Sequence, residues 1–230
     1  MGRVIDEPNL RERFHIFRDR FHAGQLLAKI LQKHIDLENV ILFAIPAGGV
    51  PVCYMISQKL GIPMDVVIVR KIQVPWDPEA GFGAISWDGE VLLNESLVRQ
   101  LGLSQDEIQE CIERTMEGIR SRFRKFRGDK PMPDVRDKTV ILVDDGLASG
   151  FTMLVAVKSM KKRKPKRIIV ATPTGSVNAI KLLSGWVDDL LCLNIRSTPI
   201  FAVADAYQNW YDLTDEEVKD LLKRTINFKN

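Results

Sequence analysis

The chain has 230 residues, 45% of them hydrophobic and 27% charged, and a formal net charge of +3. That suffices for one substantial domain, here taken as residues 1–230, and is ordinary for a soluble globular protein. No apolar run approaches the ~20 residues a membrane helix needs, residues 1–13 are polar and lack the apolar core of a signal peptide, and so small a charge is a poor argument for nucleic acid, so the expectation is a cytoplasmic protein.

In chain order, residues 14–35 show helical apolar spacing at Phe14, Phe17, Phe21, Leu27, Ile30 and Leu31. His15, His22 and His34 fall on this segment and read as surface or satisfied core residues. Residues 40–45 form a short apolar run that ends at Pro46-Ala47-Gly48-Gly49, the pattern of a buried strand feeding a loop. A helix is expected over 50–60 and a second buried strand over 65–70. Residues 71–90 are rich in Gly and Pro and hold Trp76 and Trp87, which predicts a long loop or hairpin; with its flank to residue 93 it is the expected mobile segment.

A helical insertion is expected over residues 94–130. Its long helix opens at the capping-box pair Ser104 and Glu107 and stops at Gly128. Further strands are expected over 139–143, 167–171 and 189–194, with helices near 150–162, 176–184 and 214–222. Strands alternating with helices predict an α/β fold, a Rossmann-like parallel sheet flanked by helices, with ligands at the carboxyl ends of the strands. Residues 120–130 and 158–167 are basic clusters at predicted helix ends, read as solvated faces. Cys53, Cys111 and Cys192 form no CxxC pair, so buried free thiols are expected rather than a zinc site or a disulfide framework.

Residues 140–152, Val-Ile-Leu-Val-Asp-Asp-Gly-Leu-Ala-Ser-Gly-Phe-Thr, carry the chemistry. Four apolar residues make a strand, and Asp144 and Asp145 stand at its tip. The small-residue loop Gly146, Leu147, Ala148, Ser149, Gly150 leads through Thr152 into a helix N-terminus, whose free N–H groups and dipole suit a phosphate. The hydroxyls of Ser149 and Thr152 can donate to phosphate oxygens. The two carboxylates can accept from vicinal sugar hydroxyls or hold hydrated magnesium. The segment therefore fits a ribose 5-phosphate. A bare Asp-Asp-Gly would be only a turn after a strand; the surrounding pattern makes it more.

This segment resembles the phosphoribosyl-pyrophosphate motif of type I phosphoribosyltransferases, with Ser149 in place of the usual Thr. Residues 44–51, Ala-Ile-Pro-Ala-Gly-Gly-Val-Pro, look like the family's pyrophosphate loop, where backbone amides around Ala47, Gly48 and Gly49 would bind, often through a non-proline cis peptide. Arg70 and Lys71 resemble the basic pair before the family's mobile catalytic loop. The chain also resembles an uncharacterised bacterial and archaeal group that shares the Gly-Gly-Val-Pro loop and usually has Arg where this chain has Ala47. Losing that cation would weaken the hold on pyrophosphate by ~1–3 kcal/mol.

The resemblance implies a type I phosphoribosyltransferase fold with a small hood over 195–230. It also implies Mg2+, phosphoribosyl pyrophosphate as donor, a small heterocyclic acceptor and a homodimer. Asp144, Asp145, Arg70 and Lys71 would be catalytic, the two acids also holding the metal. Ala148 stands where 6-oxopurine enzymes have a proton-handling Asp, and alanine transfers no proton. Glu79 is a weak candidate base beside the plainer reading of a solvated carboxylate. The aromatic stretch Phe201, Tyr207, Trp210, Tyr211 would roof the acceptor, with Tyr207 and Trp210 stacking on it, or else fill the core. A non-catalytic sensor of phosphoribosyl pyrophosphate or a nucleotide is the competing reading.

Overall fold

The computed structural model describes residues 2–225, apart from the side chains of Pro78 and Glu79. The chain enters through β1 (Arg3–Ile5), a short edge strand whose Arg3 pairs with Asp189 at 2.8 Å. Sequence patterning marks no strand here, because only Ile5 is buried. The first helix, α1 (Arg20–His34), begins later than expected. Asp19 caps it by accepting from the His22 N–H at 2.7 Å, which leaves Phe14, His15 and Phe17 in the lead-in.

β2 (Val40–Ala44) is buried throughout, and α2 (Gly49–Leu60) follows the Pro-Ala-Gly-Gly turn. The apolar run after it is not one strand. It divides into β3 (Met64–Val66), parallel to β2, and β4 (Val69–Val74), which leaves the sheet to start a hairpin with β5 (Asp77–Ser86) and β6 (Val91–Leu93). Burial on both sides of the break kept the run continuous in sequence. The insertion is α3 (Glu95–Leu101), capped by Asn94, and α4 (Gln105–Arg127), about 35 Å long at 1.5 Å per residue. The Ser104–Glu107 capping box is formed, and Gly128 closes the helix at φ 61°.

Next come β7 (Thr139–Val143), α5 (Phe151–Lys161), β8 (Arg167–Ser176), α6 (Val177–Ser184), β9 (Asp189–Arg196) and α7 (Asp215–Lys223). Six strands form a parallel sheet in the order β1-β9-β8-β7-β2-β3. Alternation along β2 and β7 sends Leu42 and Val143 toward Leu27, Leu31 and Ile56 of α1 and α2. Ile41, Phe43 and Leu142 point the other way, into Val155 and Met160 of α5. Helices thus cover both faces, and the loops at the carboxyl edge are left to carry a site.

Neither basic cluster is simply a solvated face. Arg127 is buried and grips Asp65 with two hydrogen bonds, at 2.8 and 2.7 Å. Arg163 donates to the Pro133 carbonyl and lies near the Trp87 ring. Cys53, Cys111 and Cys192 are buried and free. No helix among the described residues is long and apolar enough to cross a membrane.

Candidate active site

The strand that ends at Val143 delivers Asp144 and Asp145 to the carboxyl edge, between β2 and β8. The loop after them is fastened to β8. Leu147 N–H donates to the Thr174 carbonyl at 3.0 Å, Ser176 N–H donates to the Leu147 carbonyl at 2.9 Å, and Ser176 Oγ donates to the Ala148 carbonyl at 2.7 Å. The Leu147 side chain is buried, so this residue anchors the loop. Gly150 takes φ 80°, a left-handed conformation that glycine adopts without penalty, and turns the chain into α5. A cavity of about 310 Å³ results. Asp144, Asp145, Gly146, Ala148, Ser149, Gly150 and Thr152 line it, with Pro46 and Gly48 of the other loop and the apolar Val69 and Val203.

The 46–49 loop approaches the acids closely. The Pro46–Ala47 peptide is cis, as the resemblance implies. A Cβ on Gly48 would stand 1.9 Å from Asp145 Oδ2, and one on Gly49 would stand 2.6 Å from the Val143 carbonyl oxygen. Only glycine leaves both contacts possible.

Asp145 has a partner that no local pattern in the sequence marks. Arg20, at the start of α1, donates through Nε to Asp145 Oδ2 at 2.8 Å and through Nη1 to the Tyr211 carbonyl at 2.8 Å. Its guanidinium lies 3.9 Å from the centre of the Trp210 ring. Burial raises both acids above the ordinary carboxylate range. The neighbouring Asp145 charge pushes Asp144 further, whereas Arg20 pulls Asp145 back. A polyhydroxyl or cationic guest would relieve this crowding of carboxylates.

The two acids supply oxygen donors only, so a hard divalent cation such as magnesium would fit them. A cation there would take a carboxylate or two and complete its shell with water and ligand oxygens, which is magnesium's habit.

Not every expected site residue lines this cavity. Tyr207 is buried between Phe17 and Trp210, and its hydroxyl donates to the Asp145 carbonyl at 2.6 Å. It steadies the Asp145 backbone, and its buried ring has no open face for an acceptor. Trp210 is 38% exposed, lies over Arg20 and lines a neighbouring cavity together with Ala47, Gly48 and Asp145. Arg70 and Lys71 are adjacent on β4, so they point to opposite faces. Arg70 lies against α4, where a Cβ on Gly118 would come 2.6 Å from its Nη1. Lys71 shares a face with the cavity residue Val69, and its stem lies against Gly81 of β5. Trp87 stacks on Phe123 of α4 at 5.6 Å, while Trp76 at the hairpin tip is exposed. The Glu79 side chain lies outside the described residues.

Comparison with known proteins agrees with this geometry. Residues 19–204 match the family model described as "Phosphoribosyl transferase domain". The chain belongs to the phosphoribosyl transferase domain family. A Mycobacterium tuberculosis H37Rv protein provisionally named phosphoribosyl transferase Rv0571c is 32% identical over 211 residues, 91% of this chain and 47% of that protein. The chain thus spans about half the length of the curated relatives it matches. The crystal structure of TT1426 from Thermus thermophilus superposes with a TM-score of 0.73 at 33% identity, covering 90% of this chain and 97% of that one. A shorter stretch of 67 residues is 42% identical to a uracil phosphoribosyltransferase of Mycoplasma genitalium, covering 27% of this chain and 32% of that one. The six-stranded parallel sheet flanked by helices is the architecture of this family of phosphoribosyl transferases.

Proposed function

We propose that this phosphoribosyl transferase domain binds phosphoribosyl pyrophosphate with Mg2+ and transfers its ribose 5-phosphate to a nucleobase-like acceptor, releasing pyrophosphate. The observation that carries the reading is that twin carboxylates and an amide-rich helix entrance share one cavity of about 310 Å³. Asp144 and Asp145 would accept from the ribose hydroxyls. The N–H groups of 148–152, with Ser149 and Thr152 hydroxyls, would hold the 5-phosphate. The amides of Ala47 and Gly48 would face the pyrophosphate, whereas the Gly49 N–H is already donated to the Ile45 carbonyl at 3.0 Å.

A magnesium ion carried in by the donor would neutralise charge on the departing pyrophosphate. As the C1–O bond breaks, the sugar becomes oxocarbenium-like, and the fixed carboxylates favour that positive charge. The exposed hairpin tip around Trp76 is the segment able to close and exclude water, which would otherwise capture the sugar. Val69 and Val203 offer an apolar wall for a heterocycle.

The test is a panel of nucleobases incubated with phosphoribosyl pyrophosphate and Mg2+, with pyrophosphate release followed. Acceptor-dependent release by one or more bases is expected. Tight binding of the donor with no release under any acceptor would favour a sensor, and no binding of the donor would end the reading.

A further inference from the structure

We propose that Arg122, carried on the insertion helix α4, supplies the cation for the departing diphosphate that the 46–49 loop lacks; this rests on the reading above. The loop itself offers Pro46, Ala47, Gly48 and Gly49, with amides but no charged side chain. Beside it opens a second cavity of about 410 Å³, lined by Ala47 and Gly48, by Asp145 and Asp212, and by the two guanidiniums of Arg20 and Arg122. Gly48 and Asp145 line both this cavity and the one that holds the helix entrance, so the two adjoin. A diphosphate leaving a sugar gripped in the first cavity would enter the second.

The two guanidiniums differ in freedom. Arg20 is committed to Asp145, the Tyr211 carbonyl and the Trp210 ring. Arg122 has 31% of its side chain exposed, and its carboxylate partner, Asp215, stands 3.3 Å away. Asp215 is held more closely by Lys125, at 2.7 Å. If Arg122 turned toward an anion, Asp215 would keep a counter-ion, so the move leaves no carboxylate unpaired.

The helix is also shaped for this. Gly118 precedes Arg122 by four residues, so both lie on one face of α4. The missing side chain at Gly118 makes room for Arg70. Arg70 and Arg122 are near enough that the charge of Arg122, after burial, lowers the Arg70 guanidinium below its ordinary value. A dianionic group between α4 and the loop would relieve that repulsion. Arginine also matches phosphate oxygens with a planar fork of donors.

The test is calorimetric titration of inorganic pyrophosphate with Mg2+, and separately of ribose 5-phosphate, into the whole chain and its variants. Arg122→Gln is expected to weaken pyrophosphate roughly 10- to 100-fold, the range for a charged hydrogen bond, and to leave ribose 5-phosphate unchanged. Adding Ala47→Arg to Arg122→Gln is expected to restore most of the loss. Asp215→Asn, which breaks the same ion pair but keeps the guanidinium, is expected to retain pyrophosphate affinity. The proposal is overturned if Arg122→Gln binds pyrophosphate within twofold of wild type, if it weakens both ligands equally, or if Asp215→Asn loses as much as Arg122→Gln. Failure of the unaltered chain to bind either ligand would instead overturn the phosphoribosyltransferase reading beneath it.

Discussion

The Arg20 guanidinium donates to the Asp145 carboxylate at 2.8 Å across 125 residues of chain, and both side chains are nearly buried, 7% and 13% exposed. The first helix and the seventh strand are locked together at the point where the sugar would sit. The two neighbouring acids therefore have opposite standing: Asp145 is compensated and Asp144 is not.

Removing the cation exposes the difference. Arg20→Gln leaves Asp145 buried without its counter-ion and is expected to destabilise the fold by about 3 kcal/mol, read by urea denaturation. Asp144→Asn keeps an oxygen to accept the Asp145 N–H, now at 2.9 Å, and removes a repelling buried charge. It is expected to match or exceed wild-type stability while losing affinity for ribose 5-phosphate. Equal destabilisation by both variants would contradict the asymmetry.

Gly48 and Gly61 make a second contrast. At Gly48 the backbone is ordinary, φ −60°, and only space forbids a side chain. Gly48→Ala is expected to displace Asp145 and lower ribose 5-phosphate affinity at least tenfold, measured by calorimetry. Gly61 is in open space at φ 68°, so Gly61→Ala is expected to cost about 1 kcal/mol of stability, with ligand affinity intact.

Tyr207→Phe tests whether this ring serves the acids or an acceptor. Its hydroxyl donates to the Asp145 carbonyl, and burial holds the phenol protonated, well above its ordinary range. The variant orphans a carbonyl and is expected to lose about 1–2 kcal/mol of stability, with weaker sugar binding and no change in preference among acceptors. An altered acceptor preference at full stability would place the ring in the acceptor pocket instead.

Much of the site is legible in the sequence itself. The 140–152 segment announced itself because strand, acids and helix entrance are consecutive, and the Ser104–Glu107 capping box is likewise local. Arg20 and Arg122 were not legible: an arginine on a helix has no local mark that distinguishes a buried counter-ion from a solvated charge. The aromatic run near the C-terminus leaves roof and core open for the same reason: Tyr207 turns inward where Phe17, 190 positions earlier, pairs with it, while Trp210 lines a cavity beside Asp145. The break between β3 and β4 was hidden because burial, not pairing, shapes an apolar run.

Asp215 ties α7 to α4, and hydrogen bonding by Lys125 with the charge of Arg122 holds its carboxyl below the ordinary value. A carboxylate so depressed adds stability above its unfolded pKa and loses it as pH falls through the folded value. Asp215→Asn is accordingly expected to cost about 0.5–1 kcal/mol near neutrality, discounted for partial exposure. That cost should shrink as pH falls below about 4, in urea denaturations at several pH values. A cost independent of pH would contradict the ion-pair account.

The most direct measurement is calorimetric titration of ribose 5-phosphate into the wild-type chain and into Asp144→Asn/Asp145→Asn, with circular dichroism to verify folding. Saturable binding to the wild type, abolished in a folded double variant, is the predicted result. Unchanged affinity in that variant would contradict the assignment of the sugar to the tip of β7.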